Sequence, residues 1–250
     1  MAQPQRIRTT IQLLTPFQQM TPSKIAIFGK TKESTAQLRQ EVKKYGFVLD
    51  QKKPDIVISY GGDGTFLRSE RAYPGIPKAL FRFSKICKKC HNLPIDHALE
   101  SLKEGRYHEV LHLKLAARAR GKIQYAVNDI VIRNIEPTHA IRWKLAVNGK
   151  TLPHEYIGDG IVAATPHGST GYYHSITRKN LSSGIGIAFN NTTFAQKPLL
   201  LKKNAQIKFT LTRGKAHLCA DNNSQLIILQ EGACATISLS KKSAKILEFH

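Results

Sequence analysis

The stretch Asp55-Ile-Val-Ile-Ser-Tyr60 runs without a spacer into Gly61-Gly62-Asp63-Gly64-Thr65. No other feature constrains the fold as much. An apolar run of this length, bounded by glycines, reads as a buried strand. A helix-like pattern begins near Phe66, so the glycines stand at a strand-to-helix turn. Upstream, residues 24–28 are a second buried-strand candidate ending at Gly29. Between the two, residues 31–45 carry Leu38, Val42 and Tyr45 at helical spacing, with Gly46 as a stop. Strand, helix, strand, Gly-rich turn, helix is the order of an α/β domain with a parallel sheet.

The pattern changes after residue 105. One more helix is expected over 97–103, ending at Gly105. Beyond it lie short strand-like runs at 110–116, 123–127, 130–132, 141–147, 161–164, 199–201, 207–211, 226–229 and 235–239. Turn signals such as Asn148-Gly149, Gly214 and Gly232 separate several of them. The expected architecture is a Rossmann-like α/β domain over 1–105 and a β-sandwich-like, β-rich domain over 106–250. Residues 1–22 read as a polar lead-in.

Composition narrows the class. An apolar fraction of 41% and a charged fraction of 22% suit a soluble globular chain. No run of 18 apolar residues marks a membrane span, and no apolar stretch near the start marks a signal peptide. Four cysteines (Cys87, Cys90, Cys219, Cys234) are too few and scattered for a disulfide scaffold, so reduced thiols in the cytoplasm are expected. The net charge of +21 attracts anions without choosing among nucleotides, polyphosphate, nucleic acid and acidic lipid. A generally basic surface explains it equally well.

Three segments carry chemistry. In Gly61–Thr65, glycine lets backbone N–H groups approach phosphate oxygens, and the helix N-terminus adds positive dipole. Asp63 in that turn suits a base toward a hydroxyl or a partner of magnesium. An ordinary tight turn has the same composition. The second segment runs from Asp159-Gly160 through Thr165-Pro166-His167-Gly168-Ser169-Thr170-Gly171-Tyr172-Tyr173. Its small hydroxyls suit a polar ligand close to the main chain, and a tyrosine ring can stack on a base; a plain loop also fits. The third is the Asn128-Asp129 pair inside an apolar run, costly there unless it bonds something, or else a turn between strands. Neither a Gly-x-x-x-x-Gly-Lys-Ser/Thr loop nor a Gly-x-Gly-x-x-Gly fingerprint occurs after a strand.

Taken in order, these segments resemble the NAD kinase family. The resemblance runs from about Lys24 to Phe249 and includes Ala188-Phe189-Asn190-Asn191, Lys197-Pro198-Leu199-Leu200 and Ala220-Asp221. It implies an ATP-dependent kinase of the adenosine ribose 2′-hydroxyl of NAD, with the dinucleotide held between an α/β and a β domain. Asp63 resembles the general base. Gly61, Gly62 and Thr65 resemble the phosphate turn, and Arg68 is added from its proximity in sequence. Gly64, Asn128, Asp129, Asp159, Thr170, Gly171, Tyr172, Ser175 and Asn190 match positions that contact the dinucleotide. The family further implies Mg²⁺ or another divalent cation, ATP or polyphosphate as donor, and a homodimer or homotetramer. Neither a membrane nor a nucleic-acid partner is expected.

The chain departs from the family in places. Residues 79–94 lack the expected glycines and carry extra cations. Asp129 replaces Glu, Gly171 replaces Ala, and Asn222-Asn223 follow Asp221. Cys87-x-x-Cys90-His91 matches a haem attachment spacing, but reads as an incidental pair. The alternatives are a lipid kinase sharing the Gly-Gly-Asp-Gly-Thr turn and a non-catalytic, basic nucleotide- or nucleic-acid-binding relative.

Overall fold

The computed structural model describes residues 22–29, 31, 33–82 and 94–250. The chain divides into two units. One consists of the described residues through His112 together with Ser243–His250, and the other of Leu113–Lys242.

The first unit follows the α/β order. It contains β1 (Lys24–Gly29), α1 (Ala36–Lys44), β2 (Val48–Leu49), β3 (Ile56–Gly61), α2 (Asp63–Ala72), β4 (Lys78–Arg82) and α3 (Ile95–Glu104). β2, β1, β3 and β4 lie side by side and parallel. Alternation splits the strands between two faces. Ile25, Ile27, Ile56, Ile58, Ala79 and Phe81 share a core with Leu38 and Val42 of α1 and Leu99 and Leu102 of α3. α2 stands apart from that cluster and packs on β3, β1 and β4. α3 ends at Gly105, whose φ of 70° and N–H bond to the Leu102 carbonyl close the helix while Arg106 N reaches the Ser101 carbonyl.

Two details escape the sequence pattern. α2 begins at Asp63, three residues before the expected start, so the aspartate sits in the first helical turn. β4 opens on a lysine, which masked it as a strand. Lys78 is fully buried because its ammonium pairs with the buried Glu70 carboxylate and donates to the Tyr73 carbonyl and, at 2.7 Å, to the Ile76 carbonyl. Glu70 in turn accepts from Gly75 N at 2.9 Å. These bonds hold the short α2–β4 connection.

The second unit is a sandwich of antiparallel strands. β5 (Tyr107–Ala119) leads into it and pairs with β6 (Lys122–Ala126). Then come β7 (Asp129–Asn134), β8 (Ile141–Val147), β9 (Lys150–Gly158), β10 (Gly160–Ala164), α4 (Tyr172–Thr177), β11 (Ile185–Asn190), β12 (Leu199–Leu201), β13 (Gln206–Arg213), β14 (Ala216–Ala220), β15 (Ile227–Leu229) and β16 (Cys234–Phe249). One sheet has the order β12-β11-β10-β7-β14-β15, and the other includes β16-β13-β8-β9. Their inner faces enclose one core around Trp143, Phe209, Ile132, Ile161, Ile187 and Leu218. The α/β and β-sandwich classes expected from sequence are both present. β9, β11 and β14 had no clear strand signal, and β16 is far longer than the expected run at 235–239. Its last residues leave the sandwich and rejoin the first unit, where Ile246 pairs beside Lys78.

Candidate functional site

In the first unit the chain turns from β3 into α2 at Gly61-Gly62. The turn lies at the carboxyl ends of β1, β3 and β4, where open parallel sheets bind ligands. Gly62 precedes the helix with φ −110° and ψ −169°, and its carbonyl accepts from Thr65 N at 2.9 Å and Phe66 N at 3.1 Å. Thr65 folds back on Gly61, where an added Cβ would stand 2.3 Å from its Oγ1. Its side chain is therefore buried inside the turn. A Cβ on Gly62 would meet nothing within 4 Å. Gly62, Asp63 and Gly64 are accessible, so a carboxylate and a helix N-terminus share one open edge. The Arg68 guanidinium stands 5.9 Å from the centroid of the Phe28 ring, near the end of β1.

The second unit brings three separated segments into one polar junction. Asp221 accepts three consecutive backbone N–H groups: Val127 at 2.9 Å, Asn128 at 2.8 Å and Asp129 at 3.2 Å. Asp221 N returns a bond to the Asp129 carbonyl at 2.9 Å. From the other side Thr165 donates its hydroxyl to the Val127 carbonyl at 2.6 Å, and its N–H to the Asn128 carbonyl at 2.9 Å. Gly168 N bonds the Thr165 hydroxyl at 3.0 Å, and Gly168 packs so closely on Asn128 that a Cβ would stand 2.2 Å from the Asn128 carbonyl oxygen. The Asn128-Asp129 backbone is thus held by groups from two other segments. Asn128 is half-buried and the Asp129 side chain is buried.

Beyond the junction, Gly168–Thr170 forms a single 3₁₀ turn and Gly171 leads into α4, where composition suggested loop. The paired tyrosines divide. Tyr173 is fully buried among Val131, Val162, Ala164, Leu181 and Ala188, and burial raises its phenol pKa. It rests on Gly186, where a Cβ would lie 2.7 Å from the ring. Tyr172 stays half-exposed, and its hydroxyl accepts from Asn190 Nδ2 at 3.0 Å. Thr170, Gly171 and Ser175 are exposed, with the Ser175 hydroxyl donating to the Tyr172 carbonyl at 2.7 Å.

Asp159 lies at the opposite end of β10 from Thr165, about 20 Å away at strand spacing. Both carboxylate oxygens accept from amides, Asn134 Nδ2 and Asn191 Nδ2, each at 3.3 Å. The predicted dinucleotide residues therefore form two groups. Asn128 and Asp129 join the 165–171 loop, while Asp159 joins Asn134, Asn190 and Asn191, and Tyr172 reaches toward the second group through Asn190. Sequence reading missed Thr165, Gly168 and Asn134 as the groups that hold these residues, and took Asp221 only as part of a turn. A buried Asn in a strand, as at Asn134, is the one signal that could have been used.

Among the described residues no group of three or more His, Cys, Asp or Glu side chains could hold a metal ion. Among them, too, no helix is long and apolar enough to cross a membrane. Cys87, Cys90 and His91 lie outside the described residues.

A family model described as the ATP-NAD kinase C-terminal domain matches residues 127–249. An NAD kinase from Sulfurisphaera tokodaii is 30% identical over 243 residues, covering 90% of this chain and 95% of that protein. The crystal structure of an NAD kinase from Archaeoglobus fulgidus in complex with ATP has a TM-score of 0.74 at 19% identity, covering 91% of this chain and 93% of that one. Yeast NADH kinase complexed with NADH gives a TM-score of 0.78 at 13% identity, over 91% of this chain and 84% of that one.

Proposed function

Because this chain belongs to the NAD kinase family, and is a kinase, we propose that it transfers the terminal phosphoryl group of ATP to the adenosine ribose 2′-hydroxyl of NAD⁺, giving NADP⁺ and ADP. The observation that carries this reading is Asp63, an accessible carboxylate in the first turn of α2 at the carboxyl edge of a parallel sheet. A ribose hydroxyl is a weak nucleophile at neutral pH, and a carboxylate within reach takes its proton as the O–P bond forms. The proton goes to Asp63, and the leaving oxygen departs on ADP.

The Gly61–Gly64 backbone is the cradle for phosphate oxygens, supported by its open edge and helix dipole. Thr65 shapes this turn from inside through Gly61. Arg68, on the same helix, is offered as a phosphate contact from its proximity in sequence, although its guanidinium stands over the Phe28 ring. Asn128, Asp129, Thr170, Gly171 and Ser175 form the dinucleotide contacts at one end of the six-stranded sheet and Asp159 and Asn190 those at the other, with Tyr172 reaching from the first group to Asn190. Mg²⁺ would be held chiefly by the nucleotide phosphates, since it commonly uses few protein ligands, which leaves Asp63 to take the proton. When bound it neutralises charge on the transferred phosphoryl group. The edge strand β12, with Leu200 exposed, supports assembly into a homodimer or homotetramer. We place the protein in the cytoplasm.

The test is a coupled assay with NAD⁺ or NADH as acceptor and ATP or polyphosphate as donor. Replacing Asp63 with Asn should lower kcat by at least about a hundredfold, the range of general-base catalysis, with the fold unchanged by circular dichroism. Near-normal turnover by the variant would remove Asp63 from the role of base. Absence of turnover by the parent chain with every pair would remove the reading itself.

A further inference from the structure

We propose that Arg133 and His217 form an anion subsite on the outer face of the six-stranded sheet, built to take a phosphate group. The register of that sheet places Asn190, Gly160, Arg133, His217 and Ile228 in one row across five strands. The alternate residues Ile132, Ile161, Phe189, Leu218 and Ile227 lie in the sandwich core, so the row faces outward. Gly160 adds no side chain, leaving bare backbone between Arg133 and Asn190, which stand about 10 Å apart at two strand spacings.

The row has an electrostatic imbalance. Arg133 and His217 are directly opposed and both half-buried. Among the described residues neither side chain makes a hydrogen bond or an ion pair, although half-buried cations ordinarily find a carboxylate. The nearby acids are committed elsewhere. Asp159 accepts from Asn134 and Asn191, and Asp221 from the amides of residues 127–129. Burial, and then the charge of Arg133, hold the His217 pKa below its usual value. A dianion between the two would reverse the second effect, and with it the imidazole would take up a proton. An unpartnered guanidinium beside a titratable imidazole is a chemistry suited to phosphate.

The row also borders the proposed dinucleotide residues. Asn190 donates to the Tyr172 hydroxyl at one end of it. α4 covers the neighbouring rows through Val131, Val162, Ala164 and Ala188. Identifying the phosphate as one on the nucleotide therefore rests on the proposed function, while binding of phosphate as such does not. Groups facing His217 are Arg133 and, farther along the same face, Asp129 on β7; Ile228 on β15; and Cys219 on its own strand. β6, which also packs beside β14, carries Lys122 and Tyr125.

The test is calorimetric titration of the full chain and of Arg133→Gln with NAD⁺, NADP⁺ and inorganic phosphate. Loss of the guanidinium should weaken at least one probe by about tenfold or more. A larger loss for NADP⁺ than for NAD⁺ assigns the subsite to the added monoester, and an equal loss for both assigns it to the diphosphate bridge. A loss for inorganic phosphate alone assigns it to the free ion. A folded variant that binds all three within twofold of the parent overturns the proposal. His217→Gln supplies the second readout and does not depend on Arg133→Gln folding. In the parent, affinity should rise as pH falls from about 8 to about 5.5, more steeply than in His217→Gln, because the imidazole charges on binding. The ligand's own ionisation cancels in that comparison, and identical slopes overturn the role of His217. Turnover of NAD⁺ with ATP is measured alongside. If the parent lacks it, the proposed function fails while the inorganic phosphate titration still judges the subsite.

Discussion

Replacing Asp221 with Asn should loosen the Asn128-Asp129 pair without removing any residue that would touch a ligand. The carboxylate accepts from three backbone amides, two through Oδ1 and one through Oδ2. Asparagine can keep an oxygen toward Asn128 and Asp129, but its NH₂ then faces the N–H of Val127, two donors with no acceptor between them. Val127 is buried, so that amide has no easy route to water. Hydrogen bonds to a charged acceptor contribute about 1.5–3 kcal/mol each, and a stranded buried donor costs about 1–3 kcal/mol. These effects overlap, so we expect a net loss of about 3 kcal/mol, which for a chain of this size lowers the melting temperature by about 6–12 °C. Asp221→Ala strands all three amides and should cost more. Thermal melts followed by circular dichroism measure both variants, and steady-state kinetics should show KM for NAD⁺ rising more than kcat falls. An Asn variant melting within about 1 °C of the parent, or an Ala variant no worse than Asn, would refute the view that Asp221 holds this backbone in place.

Three further outcomes concern two glycines and a histidine. Gly168→Ala places a Cβ 2.2–2.4 Å from three backbone atoms of Asn128, so it should destabilise by about 3 kcal/mol, the upper range for overpacking. Gly62→Ala, with open space around its Cβ, should melt within about 2 °C of the parent yet lose activity if phosphates approach that backbone; thermal melts and the coupled assay check the pair. The lowered pKa of His217 makes stability depend on pH. Below its ordinary value of about 6.5 the unfolded imidazole is protonated while the folded one resists, so the unfolded state binds more protons and stability falls as pH drops from about 7 toward 5. Urea midpoints at pH 7.5 and 5.5, both about 1 unit from the ordinary His value, should fall less in His217→Gln than in the parent; equal falls would count against the coupling.

Much of the first unit was legible in the sequence because its signals are local. The apolar runs around Ile25–Ile27 and Ile56–Ile58 have few ways to be buried other than as central parallel strands. Gly105 stops α3 through its own left-handed backbone. Where a local signal failed, a distant partner was responsible. Lys78 reads as a surface residue until Glu70 is seen to neutralise it in the interior. The helix start at Asp63 was placed late because Gly62, rather than a polar side chain, precedes the helix. In the sandwich, alternation showed which residues of a strand share a face but not which strand lies alongside.

The order of strand, two glycines, aspartate and helix from β3 into α2 was legible in the sequence alone, apart from the residue at which the helix starts, and that order also carries the family resemblance. Tertiary structure decided what surrounds the second unit's motifs. Asp221 reaches Val127 across 94 residues, Asp159 is parted from Asn128 by the length of a strand, and Arg133 meets His217 only through sheet register. Contacts of this kind depend on how strands are ordered in a sheet. That order is set by the packing of the whole core, to which every strand contributes and which no single segment specifies.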